Sequence, residues 1–231
     1  MERAGPRRSL LSMTWEDTLF AHWPVPPERI EPTLPDRLSV DVHEGDAYLG
    51  VVPFVMSAIG PRGLPVGLSF GELNLRTYVE GPDGGRGVYF YNLDANDRLG
   101  VLLARRLFRL PYYRAETDVN RDGDAVRFRS RRAGGTAAFD ATYRPTGPTF
   151  EATAGSRPHF LTERYRFYTA DDRGRLYYGD IRHDPWPLAE ASAEFRRNDL
   201  FAVNGFDAPA GDPILHYASR IDVTAGRVRR A

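Results

Sequence analysis

The chain has 231 residues, 42% of them hydrophobic, and its 31 basic side chains balance 31 acidic ones. That is enough to build one well-buried β domain, and zero net charge leaves no overall field to draw nucleic acid or an anionic membrane. With no cysteine, a disulfide framework, a thiolate nucleophile and a cysteine-ligated metal are all excluded.

All the basic residues are arginine; the chain contains no lysine. No side chain can therefore form a Schiff base with a carbonyl substrate or take the lysine's place in a phosphate loop. No apolar run is long enough to span a membrane, and none follows the basic start, so the expected compartment is the cytoplasm.

Residues 1–12 read as a disordered extension, 13–225 as a single domain and 226–231 as a tail. In WEDTLFAHW, residues 15–23, the apolar spacing of Trp15, Leu19, Phe20 and Trp23 predicts a short amphipathic helix stopped by Pro24, with His22 on its wet side. Two strands follow around the turn Glu44-Gly45-Asp46, where His43 is expected in solvent. The nearly continuous apolar run from Ala47 to Ile59 predicts a central strand covered on both faces, with Pro53 at a bulge or bend.

The stretch FGELNLRTYV, residues 70–79, organises the rest. As a strand it puts Leu73, Leu75, Thr77 and Val79 on a core face and Phe70, Glu72, Asn74, Arg76 and Tyr78 on the other. An acid, an amide and a guanidinium bracketed by aromatic rings suit the wall of a pocket. The same row also suits an ion-pair and hydrogen-bond network plugging a barrel end. Glu72 and Arg76 are about 13 Å apart along the strand and so need other partners. Gly67 to Gly71 matches G-x-S-x-G, but a nucleophile elbow needs a helix after its serine and a strand pattern follows here. Gly81 to Gly87 lies between two strands and reads as a hairpin turn.

Further on, Gly87 to Ala95 predicts a strand with Asn92 on the face of Val88 and Phe90. A helix is expected over 97–110, and then antiparallel strands over 112–119, 125–132 and 137–143; the alternating Arg127, Arg129 and Arg131 of the second suit a charge-protected edge strand as well as a binding patch. A helical turn near Phe160 to Glu163 and strands over 165–169, 176–183, 189–196 and 214–223 complete the reading. Tyr113 and His216 join Tyr78 and Asn92 as supporting candidates for the pocket. The five histidines show no metal-ligand spacing, so no metal is expected.

Taken in order, LFAHWPV, LPDRLSVDVHEGDAYLGVVPF, FGELNLRTYV, GVYFYNLDA, LPYYRA, GSRPHFLTERYRFY, HDPWPL and PILHYASRIDV resemble the YqjF-like family of uncharacterised proteins. The resemblance implies a mainly β (α+β) fold of acetoacetate decarboxylase-like type, an antiparallel β-barrel or cone with two or three short peripheral helices around a small-molecule cavity. Known decarboxylases of that fold work through a lysine Schiff base, which this chain cannot form.

The expected ligand is a small organic acid held by Glu72, Asn74, Arg76, Tyr78, Asn92, Tyr113 and His216, with no cofactor, no nucleic acid and no membrane partner. A homo-oligomer is compatible with the sequence. Two alternatives stay open: a lyase, isomerase or hydratase with Glu72 as acid or base and no lysine, and a structural or protein-interaction domain. The lysine argument has a direct check. Borohydride added with a β-keto acid should leave no reduced adduct on any side chain, and a stable internal adduct in a peptide map would contradict it.

Overall fold

A computed structural model of the protein describes residues 10–61, 67–96 and 110–231. Period-two alternation of apolar side chains dominates them, and about 60% of the structure is strand. The strands are β1 (Leu11–Val25), β2 (Ser39–Val40), β3 (Ala47–Pro61), β4 (Leu68–Glu80), β5 (Arg86–Ala95), β6 (Tyr112–Asp122) and β7 (Ala125–Arg132), followed by β8 (Ala138–Pro145), β9 (Arg166–Ala170), β10 (Leu176–Arg182), β11 (Leu188–Asn198), β12 (Ile214–Ala225) and β13 (Arg229–Arg230). Short helices cover Pro27–Ile30, Arg157–Thr162 and Leu200–Val203, with a 3₁₀ turn at Glu31–Thr33.

Nine strands, in the order β5-β6-β7-β8-β11-β12-β1-β3-β4, close into a barrel. A second circuit leaves it at both ends: β9 pairs with β5 and β10 with β12, so that β5-β9-β10-β12-β1-β3-β4 also closes. The run β12-β1-β3-β4-β5 is common to both. Pairing is antiparallel except where β5 meets β6 and β9 in parallel.

The shared wall feeds two cores. From β3, Tyr48, Val52, Phe54 and Met56 enter the first, while Ala47, Leu49 and Val51 enter the second. From β4, Phe70 and Tyr78 enter the first, and Leu73 and Leu75 the second. The helix Arg157–Thr162 closes over the first core with Phe160 and Leu161, its N-terminus capped by the Ser156 hydroxyl. Phe128, Phe139 and Tyr143 of β7 and β8 fill the second.

Several local expectations give way. Residues 15–23 belong to β1, not to a helix, because their apolar side chains divide between two cores, Trp15 and Phe20 facing the first and Leu19, Ala21 and Trp23 the second, and the apolar spacing reports that division. The extension ends earlier than expected, since Leu11 and Ser12 already pair with Ala225 and Thr224, and Arg229–Arg230 of the tail pairs with β10. β7 lies between β6 and β8, so it is no edge. Its arginines are nonetheless on a wet face, with Arg127 paired to Asp140 and Arg129 to Asp118. The helix expected over 97–110 falls largely outside the described residues. Pro53, which has no N–H to give, lies opposite the stretch where β1 carries one extra residue and Asp17 turns to φ 54.

Candidate functional site

The first core is not solid. It holds a partly open cavity of about 110 Å³ lined from β1, β3, β4, β5, β6, β9, β10 and β12 and from the segments after the Arg157–Thr162 helix and after β10. Aromatic rings dominate: Trp15, Phe20, Phe54, Phe70, Phe90 and Trp186 all face it. Into this apolar space β4 projects Glu72, Asn74 and Arg76, the face read from its alternation.

Glu72 is buried, with no cation against it among the described residues. Its Oε2 accepts a 2.7 Å bond from the Tyr112 hydroxyl, and Asn74 also hydrogen-bonds it. Burial outweighs both bonds and pushes its carboxyl up to about 7. Tyr112 remains a phenol, because burial and the neighbouring carboxyl hold it well above its ordinary value.

Arg76 is buried as well, its guanidinium 5.4 Å from the centre of the Phe20 ring and 3.5 Å from the Leu161 carbonyl. Among the described residues it makes no ion pair, and its Nε–H has no hydrogen-bond partner. The other buried arginines differ. Arg132 grips Asp94 at 2.7 Å, and Arg164 grips Asp41 at 2.7 Å while lying 4.2 Å over the Phe160 ring.

Register explains how Arg76 is held. His22 of β1, Gly50 of β3 and Arg76 of β4 are aligned across three strands. A Cβ on Gly50 would lie 2.8 Å from the His22 ring and 3.4 Å from Arg76 Cγ, so glycine is what lets the two side chains share that space. His22 is fully buried, correcting its expected place in solvent. Tyr78 donates its one proton to the Leu161 carbonyl at 2.6 Å, so the 2.6 Å contact from His22 Nε2 must bring the hydrogen to the phenol oxygen. Burial first, then the charge of Arg76, keeps His22 well below its ordinary pKa and neutral.

Of the remaining candidates, Tyr78 lies beside the cavity in this network, and three lie elsewhere. Asn92 is buried on the opposite face, bonded to Asp94 and Asn204. A bulge at Tyr91, opposite the step from Leu75 to Arg76, switches the parity of β5 so that Leu93 succeeds Phe90 on the cavity face. Tyr113 is 41% exposed and stacks on the Arg132 guanidinium at 4.0 Å; its neighbour Tyr112 is the residue that enters the cavity. His216 is buried against Phe150, with Glu190 4.0 Å away, and does not line the cavity. His43, expected in solvent, is half-buried beside the Phe160 ring.

Residues that sequence reasoning missed are Trp15, Thr18, His183 and Trp186. All four line the cavity and carry a buried polar atom with no hydrogen-bond partner among the described residues. The misassigned helix hid Trp15 and Thr18. The aromatic pair Trp15–Trp186, ring centres 5.9 Å apart, joins residues too distant in sequence for any local pattern to reveal. Among the described residues no three His, Asp or Glu side chains converge as a metal site requires, and no helix is long and apolar enough to cross a membrane.

Comparison with known proteins agrees with this architecture. The profile of the DUF2071 family, an uncharacterized conserved protein, matches residues 12–222. The uncharacterized protein YqjF of Bacillus subtilis (strain 168) is 43% identical over 225 residues, covering 96% of this chain and 92% of YqjF. Among solved structures, the enduracididine biosynthesis enzyme MppR complexed with pyruvate superposes with a TM-score of 0.70 at 13% identity, over 99% of this chain and 93% of that one. Acetoacetate decarboxylase from Legionella pneumophila superposes with a TM-score of 0.64 at 11% identity, over 100% of this chain and 91% of the other. The chain therefore belongs to the DUF2071 family of YqjF-like proteins and has the acetoacetate decarboxylase-like fold.

Proposed function

We propose that the cavity binds a small organic acid with its carboxylate against Arg76. The observation that carries this is the contrast among buried arginines: Arg132 and Arg164 each hold a carboxylate, whereas Arg76, equally buried, holds none among the described residues. A guanidinium withdrawn from water without a counter-charge is costly, and a bidentate carboxylate is its best complement. The size fits a compact molecule, since about 110 Å³ is less than the roughly 150 Å³ of an engineered cavity that admits benzene. The fold neighbour MppR, whose structure is of a complex with pyruvate, makes that acid a sensible probe.

A second reading, turnover, is favoured by Glu72. A carboxyl near 7 can both give and take a proton at neutral pH, which suits a general acid or base for lyase, isomerase or hydratase chemistry. Such chemistry would proceed without a Schiff base, since the chain has no lysine.

The test compares two arginines. Pyruvate at about a hundred times its Kd should raise the melting temperature of the wild type by on the order of 5–10 °C. Arg129→Ala should respond equally, because Arg129 is half-exposed and pairs with Asp118 on the outer face of the sheet. Arg76→Ala should not respond, nor should Arg76→Met, which keeps part of the packed stem. Equal shifts in all four proteins would remove Arg76 from the site.

A further inference from the structure

The groups around the cavity admit a simple charge census. Arg164 is neutralised by Asp41, and Arg166 by Asp83 and Asp180. His183 gives its Nδ1–H to the Asp184 carbonyl at 2.7 Å, and burial lowers its pKa, so it is neutral. Tyr112 is a phenol. On β4 itself only Asn74 and Arg76 flank Glu72, and the residues paired with it, Phe54 on β3 and Ala95 on β5, carry no charge. One cation, Arg76, therefore faces one ionisable acid, Glu72, with every other charge among the described lining residues already matched.

We propose that this cavity accommodates a single negative charge, so that a monocarboxylate enters it together with a proton that settles on Glu72. The proposal rests on the small-acid reading and adds to it the charge of the ligand and the fate of a proton. Two carboxylates in one small apolar chamber cannot both stay ionised against a single guanidinium. Of the two, Glu72 is the one that yields, since burial has already brought it close to neutrality while a free monocarboxylate ionises well below it. No bond to carbon is made or broken: the carboxylate takes Arg76 as its counter-ion, and Glu72 binds one proton from solvent. Asn74 can follow the change. Its amide hydrogen-bonds Glu72, and its Oδ1, which has no partner among the described residues, can accept the new hydrogen once the amide turns.

The sign of the pH dependence follows. The ligand prefers the protonated form of Glu72, so affinity is level below pH 7 and falls by up to about tenfold per unit above it. Uptake should grow from a minor fraction of a proton per pyruvate below the Glu72 midpoint near pH 7 towards one proton above it, as the free site loses its proton. A dicarboxylate such as malonate brings a second charge with nothing to meet it and should bind more than about tenfold more weakly.

Isothermal titration of pyruvate at pH 6, 7 and 8, in two buffers of unlike ionisation enthalpy, counts the protons directly. Wild type should show the uptake above, and Glu72→Gln should bind pyruvate with pH-independent affinity and no exchange. Tyr112→Phe, which removes a bond that holds the Glu72 carboxyl down, should move the midpoint of the affinity profile to higher pH and serves as the second variant if Glu72→Gln does not fold. Binding without proton exchange, uptake undiminished in Glu72→Gln, or malonate binding as tightly as pyruvate would each overturn the proposal. No pyruvate binding at any pH would instead bring down the small-acid reading, and this proposal with it.

Discussion

Replacing Arg132 with alanine should destabilise the protein by about 3–5 kcal/mol at pH 8. Arg132 and Asp94 are both buried, joined at 2.7 Å, with Asn92 giving a further bond to the same carboxylate. Burial raises the Asp94 carboxyl even with the guanidinium against it, so the pair is held at a cost that only its completeness offsets. Without Arg132 the carboxyl is stranded and rises further. Its folded pKa then stands above the unfolded one, so the native state holds the proton more tightly and stability falls as pH increases through the carboxylate range. Urea unfolding should accordingly show a smaller loss at pH 5 than at pH 8. The double variant Asp94→Asn/Arg132→Met removes both charges while leaving an acceptor for Asn92, and should recover more than half of the loss. A loss under about 1 kcal/mol at pH 8 would mean that the pair is effectively solvated.

Phe128→Ala should cost a similar amount, about 3–5 kcal/mol, for a different reason. The ring is fully buried in the second core beside Phe139, and so close to β4 that a Cβ on Gly71 would lie 3.2 Å from its tip. Truncation leaves a void that a stiff sheet cannot collapse. The melting temperature should fall by on the order of 10 °C. Yet none of the aromatic cavity walls belongs to that core, so the increment that pyruvate adds to the melting temperature should persist. Losing that increment together with the stability would show that the two cores are mechanically coupled.

Legibility from sequence followed the regularity of each strand. β4 was readable because it alternates without interruption from Phe70 to Val79, which placed Glu72, Asn74 and Arg76 on the cavity side. β5 was not, because the bulge at Tyr91 is set by its pairing with β4 and leaves no mark in its own residues. Tyr112 and Tyr113 are adjacent aromatics with no neighbour to settle their phase, so sequence alone does not say which of them enters the cavity. β1 failed for a broader reason: its apolar side chains serve a core on each face, so their spacing mixes two period-two rows and can be read as a helical one. His22 and Gly50 could not have been assigned roles from the sequence, because their meaning lies in a three-strand register.

The wall shared by the two cores also bears on how faithfully the chain can fold. In an ordinary half-exposed sheet, a strand that slips by one residue exchanges core for solvent. Here β4 is buried from Phe70 to Val79 and has no wet side to lose there. A slip would carry Glu72 and Arg76 into the company of Phe128 and Phe139, and deliver Leu73 and Leu75 to the cavity. Each misregistered pairing is thus penalised twice, once for a charge stranded among phenylalanines and once for the acid and guanidinium missing from the chamber, so proofreading of the topology is built into the same residues that shape the site.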